Sequence, residues 1–134
     1  MQVVKSLIFA VFVLLIGSSS IPVAPVAGDW QFIADKWVSF GVDRDVIHLG
    51  DLRDDFRQIK VRVTDAPLRM LDMKVHFDNG DVQDVPLRAV IRKGEETRVI
   101  DLDGGLRHLK KIEFWYETVG RRQGRARVAV WGKR

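Results

Sequence analysis

Residues 71–87 read LDMKVHFDNGDVQDVPL, and this stretch carries the plainest structural signal in the chain. Its first half alternates apolar and polar side chains with a period of two, which is typical of a half-buried β-strand. Asn79-Gly80 then favours a tight hairpin turn, because both central residues of such a turn adopt a positive φ. Residues 82–87 form the returning strand, and Pro86, which has no N–H to donate, predicts an edge position or a bulge there.

The same period recurs over most of the chain beyond residue 27. It predicts strands at residues 36–42, 45–49, 56–63, 71–77, 82–87, 97–102, 111–117 and 125–131. No window has a convincing helical period, and the best short helical candidate is residues 87–93. About eight short strands at this spacing indicate an all-β fold, which we predict to be a single antiparallel β-sandwich.

The N-terminal segment has the three-part order of a secretory signal. Lys5 gives a basic start, residues 7–16 are ten consecutive apolar residues, and small residues and prolines follow. An apolar helix of that length spans about 15 Å, roughly half of a bilayer core. We predict a signal peptide over residues 1–27 and a β-sandwich domain over residues 28–134. A cut after Ser20 and an uncleaved signal anchor are the alternatives.

The mature protein is therefore expected to be exported, periplasmic or secreted, with no membrane span after signal removal. The 134-residue chain has no cysteine, which excludes disulfides, thiolate metal sites and thiol nucleophiles. It has no glycine-rich nucleotide loop and no G-x-S-x-G elbow. We accordingly expect no cofactor and no enzymatic activity, and a small hydrolase with paired aspartates is the weaker alternative.

Acidic residues cluster at several points of the chain and raise the question of a cation site. The weak candidates for metal ligands are Asp43, Asp45, Asp101 and Asp103. None of them fits the spacing of a calcium-binding loop, and Arg44 competes for the first pair. We therefore predict no metal site and expect these carboxylates to cap turns and strand ends.

Charge is distributed unevenly along the mature chain. Residues 29–106 contain 12 basic and 16 acidic residues, whereas residues 107–134 contain nine basic and two acidic ones. A basic region of this kind attracts polymers rich in phosphate or carboxylate. The alternative is that the two regions pair with each other inside the fold and leave no patch.

Residues 111–117 and 125–131 are predicted to pair as a C-terminal hairpin, with Glu117 opposite Arg125 and Trp115 opposite Arg127. In that register all the apolar partners share one face. The other face and the connecting loop then hold the candidate binding residues: Glu113, Trp115, Glu117, Arg121, Arg122, Arg125, Arg127 and Trp131. Tryptophan rings stack on sugar rings, and arginine and glutamate hydrogen-bond hydroxyl groups. The alternative is a solvent-exposed face that only stabilises the hairpin.

The order of the strand and turn motifs resembles a known family. The motifs are Asp43-Arg44-Asp45, Phe56-x-x-Ile59-x-Val61-x-Val63, Val75-x-Phe77-x-Asn79-Gly80, Gly94-x-x-Thr97-Arg98-x-Ile100-Asp101-Leu102, Ile112-x-Phe114-x-Tyr116 and Gly124-x-Ala126-x-Val128-x-Val130-x-Gly132. Together, over about residues 37–132, they resemble the YaaI-like family of small exported bacterial proteins of unknown function. The resemblance implies export and a single all-β domain, and it implies no activity or catalytic residue.

These observations lead to one functional expectation and its competitor. We expect a binding module of the bacterial envelope whose partner is an envelope glycan, an acidic polymer or an envelope protein. Nucleic acid is the least expected partner in that compartment. The competing expectation is a structural or assembly module that pairs through an edge strand with another envelope protein, and the oligomeric state stays open.

Overall fold

The computed structural model describes residues 29–38, 41–49, 54–120 and 124–134, and these contain ten β-strands. The predicted all-β, antiparallel sandwich is confirmed, with more strands than the eight expected and several of only two to four residues. Within the described ranges, no helix is long and apolar enough to cross a bilayer. The strands are β1 (Gln31–Trp37), β2 (Val42–His48), β3 (Asp55–Phe56), β4 (Gln58–Thr64), β5 (Leu68–Phe77), β6 (Val82–Val85), β7 (Ala89–Ile91), β8 (Ile100–Asp101), β9 (Arg107–Thr118) and β10 (Arg127–Lys133).

The strands form two sheets around one apolar core. Sheet A has the order β1-β10-β4-β8, and sheet B has the order β2-β9-β5-β6, with β7 also on β5 and β3 on β9. Alternate residues of each strand point inward, so that Val61, Met73 and Phe114 all lie in the same buried cluster. Burial of each large apolar side chain contributes about 1.5–3 kcal/mol to folding.

The hairpin predicted from residues 71–87 is present as β5 and β6, but its turn differs from the expected one. Of the loop residues only Gly80 has a positive φ, at 96°. The Gly80 N–H donates to the Phe77 carbonyl at 3.0 Å, and the Phe77 N–H donates to the Asp81 carbonyl at 2.9 Å. This is a three-residue loop with a glycine bulge rather than a two-residue turn. The Asn79 side chain instead accepts the Asp81 N–H at 3.0 Å.

Pro86 lies at a sheet edge, as predicted. It separates β6 from β7, which pair in turn with the two halves of β5. The helical candidate at residues 87–93 was wrong, because Ala89–Ile91 is strand β7. The segment between Pro86 and Gly94 is short, so helix formation there would not repay the free energy of nucleation. Pairing with β5 instead gives its backbone groups hydrogen-bond partners.

The predicted C-terminal hairpin was also wrong. β9 lies in sheet B between β2 and β5, and β10 lies in sheet A between β1 and β4. Alternation indicates which side chains of a strand face the core. It does not show whether two strands pair within one sheet or lie in opposite sheets, because the pattern is the same in both cases. Trp115 and Trp131 therefore project from opposite outer surfaces of the sandwich.

One side of the sandwich is closed by a polar contact between its two edge strands. The Lys36 ammonium of β1 lies 3.1 Å from Asp45 Oδ1 and donates to the Val46 carbonyl of β2 at 3.2 Å. The buried Tyr116 hydroxyl donates to Asp45 Oδ2 at 2.8 Å. The Lys36 side chain thereby occupies a backbone carbonyl of the edge strand β2, which hinders the addition of a further strand there.

Gly132 of β10 lies where the core leaves no room for a side chain. A Cβ atom placed there would be 2.6 Å from Cδ1 of Phe56 and 2.7 Å from Cδ1 of Ile33. Both contacts are far shorter than carbon–carbon van der Waals separation, which is about 3.5–4.0 Å. Glycine at this position thus allows β10 to pack directly on the Phe56 ring.

We expect Gly132→Ala to lower the free energy of unfolding by about 1–3 kcal/mol, because the added methyl group overpacks the core. Urea unfolding followed by circular dichroism measures this change. The matched control is the double variant Gly132→Ala/Phe56→Leu, in which the ring atoms that clash are removed. The double variant should lose less than the sum of the two single losses, and simple additivity would contradict the proposed clash.

Candidate functional site

The outer face of sheet A combines aromatic and basic side chains in three cross-strand rows. The first row is Phe32–Trp131–Lys60, the second is Asp35–Ala129–Arg62, and the third is Trp37–Arg127–Thr64. The rows span β1, β10 and β4, which are neighbours in the sheet. We call this surface the aromatic–basic face, and it consists of Trp30, Phe32, Trp37, Lys60, Arg62, Arg125, Arg127 and Trp131.

The first row is built around two aromatic rings in contact. The Phe32 and Trp131 ring centroids are 5.5 Å apart with an interplanar angle of 75°, an edge-to-face arrangement. The Lys60 ammonium lies 4.5 Å from the Trp30 ring centroid. Phe32 is 51% exposed, and the buried Trp131 Nε1 has no hydrogen-bond partner among the described residues. This end of the face therefore offers an apolar surface with a cation above one ring.

The third row places cations beside an exposed indole ring. Trp37 is 44% exposed. The guanidinium carbons of Arg125 and Arg127 lie 5.6 Å and 5.9 Å from its ring centroid. Arg127 also pairs with Asp35, whereas Arg125 has no ion-pair partner in the part of the chain described. Cation–π contacts of this kind contribute about 0.5–1 kcal/mol at exposed sites.

The middle row has a small residue at its centre and charged residues at its sides. Ala129 is small and almost fully buried, so it forms the floor between the other two rows. Glu96 lies 3.1 Å from the Lys60 ammonium and 3.8 Å from Arg62 Nη1. The four-residue step from Arg127 to Trp131 along β10 separates the outer rows by about 13 Å.

The outer face of sheet B holds the other predicted site residues, and there the charges pair with one another. Glu113 contacts Arg44 on β2 and lies 3.1 Å from His76 Nε2 on β5. Glu117 lies 3.1 Å from Arg69 Nε. Lys74 lies 3.1 Å from Asp84, and Trp115 is half-buried between Arg44 and Asp72.

The prediction of one platform is therefore wrong. Arg125, Arg127 and Trp131 lie on one face of the sandwich, and Glu113, Trp115 and Glu117 lie on the other. The physical reason is the assignment of β9 and β10 to different sheets. Arg121 and Arg122 lie outside the described residues.

Three aromatic members of the face were missed by sequence reasoning: Trp30, Phe32 and Trp37. The first two alternate in the segment WQF at residues 30–32, which is a strand signal. The strand predicted at residues 36–42 began too late to include them, whereas β1 starts at Gln31. A β-bulge between Phe32 and Ala34 further hides the alternation, because it shifts the register by one residue.

The candidate metal ligands do not converge. Asp43 Oδ1 accepts the Arg44 N–H at 2.8 Å, and Asp101 Oδ1 accepts the Gln58 side-chain amide at 2.8 Å. Asp45 belongs to the contact with Lys36, and the Asp103 N–H donates to Gln83 Oε1 at 2.8 Å. Within the described ranges, no group of three or more histidine and acidic side chains is placed to hold a metal ion.

A depression of about 260 Å³ lies at the end of the β5–β6 hairpin and is lined in part by Asn79, Arg107 and His108. The Arg107 guanidinium carbon lies 3.8 Å from the Phe77 ring centroid. The guanidinium also donates to Asn79 Oδ1 at 3.2 Å and to Asp81 Oδ2 at 3.1 Å. Arg107 thus joins the hairpin loop to the start of β9.

Glu113 has a perturbed acidity. Burial of the carboxyl group by itself raises its pKa, but hydrogen bonds from Arg44 and His76, together with their positive charges, outweigh burial and hold the pKa below its usual 4.5. The Glu113 side chain is 13% exposed, so solvent screens these contacts only in part. The carboxylate therefore connects the three strands β2, β9 and β5 across the outer face of sheet B.

We expect the Glu113 carboxylate to stabilise the fold above pH 4.5, with this contribution lost as the pH falls through the lowered pKa of the folded state. The difference in unfolding free energy between the wild type and Glu113→Gln should accordingly shrink as the pH drops below 4.5. Urea unfolding at a series of pH values measures it. Trp115→Phe, a neutral change on the same strand, serves as the control, and a difference that grows on acidification would refute the expectation.

Comparisons with known proteins give a family and several distant structures, AlgX and YomS among them. No curated protein matches the chain. It is similar to Pseudomonas aeruginosa AlgX at 15% identity and a TM-score of 0.43, over 78% of this chain and 26% of AlgX. It is similar to the SPBc2 prophage-derived protein YomS at 15% identity and a TM-score of 0.43, over 83% of this chain and 98% of YomS. The family model for the domain of unknown function DUF2541 matches residues 8–132, so the chain belongs to the DUF2541 family.

Proposed function

We propose that this protein is an exported, non-enzymatic binding module of the bacterial envelope, and that its aromatic–basic face contacts a polyanionic or sugar-rich component. We also propose that the protein is related to the YaaI-like exported proteins. One observation carries the proposed function: exposed aromatic rings and cations lie side by side on the outer face of sheet A. The proposal keeps Arg125, Arg127 and Trp131 from the sequence-based candidates and replaces Trp115 with Trp37 as the leading aromatic residue.

The chemistry of the face supports a ligand with both rings and charges. Phe32 and Trp37 are about half exposed, and exposed apolar groups gathered within one surface mark interaction sites. Guanidinium groups hydrogen-bond carboxylates and phosphates in a two-pronged geometry, which favours anionic partners. The face is shallow and open, so it suits a polymer lying across it.

The edge-strand alternative receives less support from the same geometry. The edge strand β8 of sheet A has only two residues. In sheet B, the edge formed by β6 and β7 is interrupted at Pro86. On the other side of the sandwich, Lys36 extends from β1 to the backbone of β2. Short, broken or lysine-blocked edges are the means by which β-proteins avoid pairing with other chains.

We expect Trp37→Ala to weaken binding of an envelope polymer at least about fivefold, or ~1 kcal/mol, since truncation of an exposed aromatic anchor removes most of its contact area. Arg125→Gln should weaken the same binding and reduce its dependence on salt, because exposed charges are screened by salt. Affinity electrophoresis at two salt concentrations measures both effects.

The matched controls for that experiment are Trp115→Ala and Arg69→Gln, which alter an indole ring and a guanidinium group on the outer face of sheet B. Both should bind as the wild type does. Equal losses from variants on the two faces would count against a role for the aromatic–basic face, and wild-type protein that binds no envelope polymer at low salt would remove the proposal.

Export is tested separately. With residues 1–27 acting as a signal peptide, the protein from the periplasmic or secreted fraction should begin near Gly28, as mass spectrometry of the intact chain would report. Leu14→Arg, which interrupts the apolar run, should retain an unprocessed chain in the cytoplasm, and Leu14→Val should be exported normally. Wild-type protein that remains unprocessed in the cytoplasm would overturn the assignment.

A further inference from the structure

We infer that the ligand of the aromatic–basic face is a linear acidic polysaccharide, in which the anionic groups are carried by the sugar rings themselves. This inference rests on the proposed function, because it names the class of polymer that the same face would bind. It follows from the separation of the aromatic rows, the position of the cations between them and the continuation of the face beyond its first row.

The two aromatic rows are too far apart for a single small ring to touch both. Phe32 and Trp131 lie in one row and Trp37 in the other, about 13 Å away along the strands. Ala129 keeps the surface between them low. A ligand that stacks on both rows is therefore an extended chain that runs along β10, with its middle above Ala129.

The cations lie beside the path that such a chain would follow, close to the substituents of its sugar rings. Arg62 flanks the low middle row, and Arg125 and Arg127 flank the Trp37 ring. Asp35 and Glu96 pair with part of this charge, yet basic side chains outnumber acidic ones on the face. A neutral glycan would leave these cations without a ligand partner.

A polyanion without sugar rings would use only the other half of the surface. Carboxylates or phosphates on a flexible backbone would pair with Arg62 and Arg125, but they would offer no flat apolar face to Phe32 or Trp37. Since these two rings are about half exposed, a ligand that ignores them leaves the main apolar part of the face in water. A polymer with both sugar rings and anionic groups contacts both the aromatic rings and the cations of the face.

The face also continues past its first row. A depression of about 530 Å³ is lined by Asp29, Trp30, Gln31 and Arg134. Trp30 belongs both to this depression and to the aromatic–basic face, where its ring lies under the Lys60 ammonium. Arg134 lies 3.8 Å from Asp54 and adds a further basic group at this end. The contact surface is therefore longer than the distance between the two aromatic rows.

The test uses the mature chain and matched polymers in isothermal titration calorimetry. The acidic probes are polygalacturonate and hyaluronan, each compared with its carboxyl-reduced, neutral form, and poly-glutamate is the polyanion without sugar rings. We expect at least one acidic polysaccharide to bind at least tenfold more tightly than both its neutral form and poly-glutamate. Trp37→Ala should lower its affinity towards that of poly-glutamate, and Arg62→Gln/Arg125→Gln should lower it towards that of the neutral form.

The outcomes separate this inference from the function on which it rests. Equal binding of neutral and acidic forms, weakened by Trp37→Ala, would overturn the acidic ligand and keep a glycan-binding face. Equal binding of poly-glutamate and the acidic polysaccharides would overturn the sugar requirement and keep a polyanion-binding face. Failure of every probe to bind, or losses confined to the Trp115→Ala control, would overturn both.

Discussion

β9 and β10 follow each other in the chain, yet each lies at the centre of a different sheet, and both press their apolar faces on the same core. Phe114 and Tyr116 enter that core from one side, and Val128 and Val130 enter it from the other. Because side chains alternate along a strand, the shared core directs the remaining residues of the two strands to opposite surfaces. The presence of two chemically different outer faces follows from this one packing constraint.

The two faces differ in what their charges do. On sheet B the acidic groups of Glu113 and Glu117 meet cations on neighbouring strands, so the face is largely neutralised by its own pairs. Exposed ion pairs add at most about 1 kcal/mol each, and their main consequence here is the removal of free charge. Arg107–Asp81 and Arg127–Asp35 likewise join the basic C-terminal region to the acidic one. Beside the aromatic rings of sheet A, by contrast, Lys60 and Arg62 share the single acidic partner Glu96, so positive charge exceeds negative charge there.

The sequence predicts features that depend on neighbouring residues, but it does not predict which distant strands pair. The hairpin around Gly80 and the edge position of Pro86 follow from backbone chemistry within a few residues, and both were found. The pairing of β9 and β10 does not follow, because alternation records only which residues are buried. Three of the eight residues of the aromatic–basic face, namely Arg125, Arg127 and Trp131, were among the sequence-based candidates. Trp37 was missed as a site residue since its place beside Arg127 depends on the long-range pairing of β1 with β10.

The strand edges of the sandwich support the proposal that recognition takes place on a broad face. An antiparallel sandwich with open edges offers two kinds of surface, and free backbone groups at an edge bind any extended chain without regard to its side chains. Here the Lys36 contact with β2 and the break at Pro86 reduce that unselective surface. The chemically distinctive groups instead lie on the outer face of sheet A, where rings and cations are held at fixed spacing by the register of β1, β10 and β4. A fold that limits edge pairing and keeps Phe32 and Trp37 about half exposed on one surface supports the proposal that binding takes place on that face.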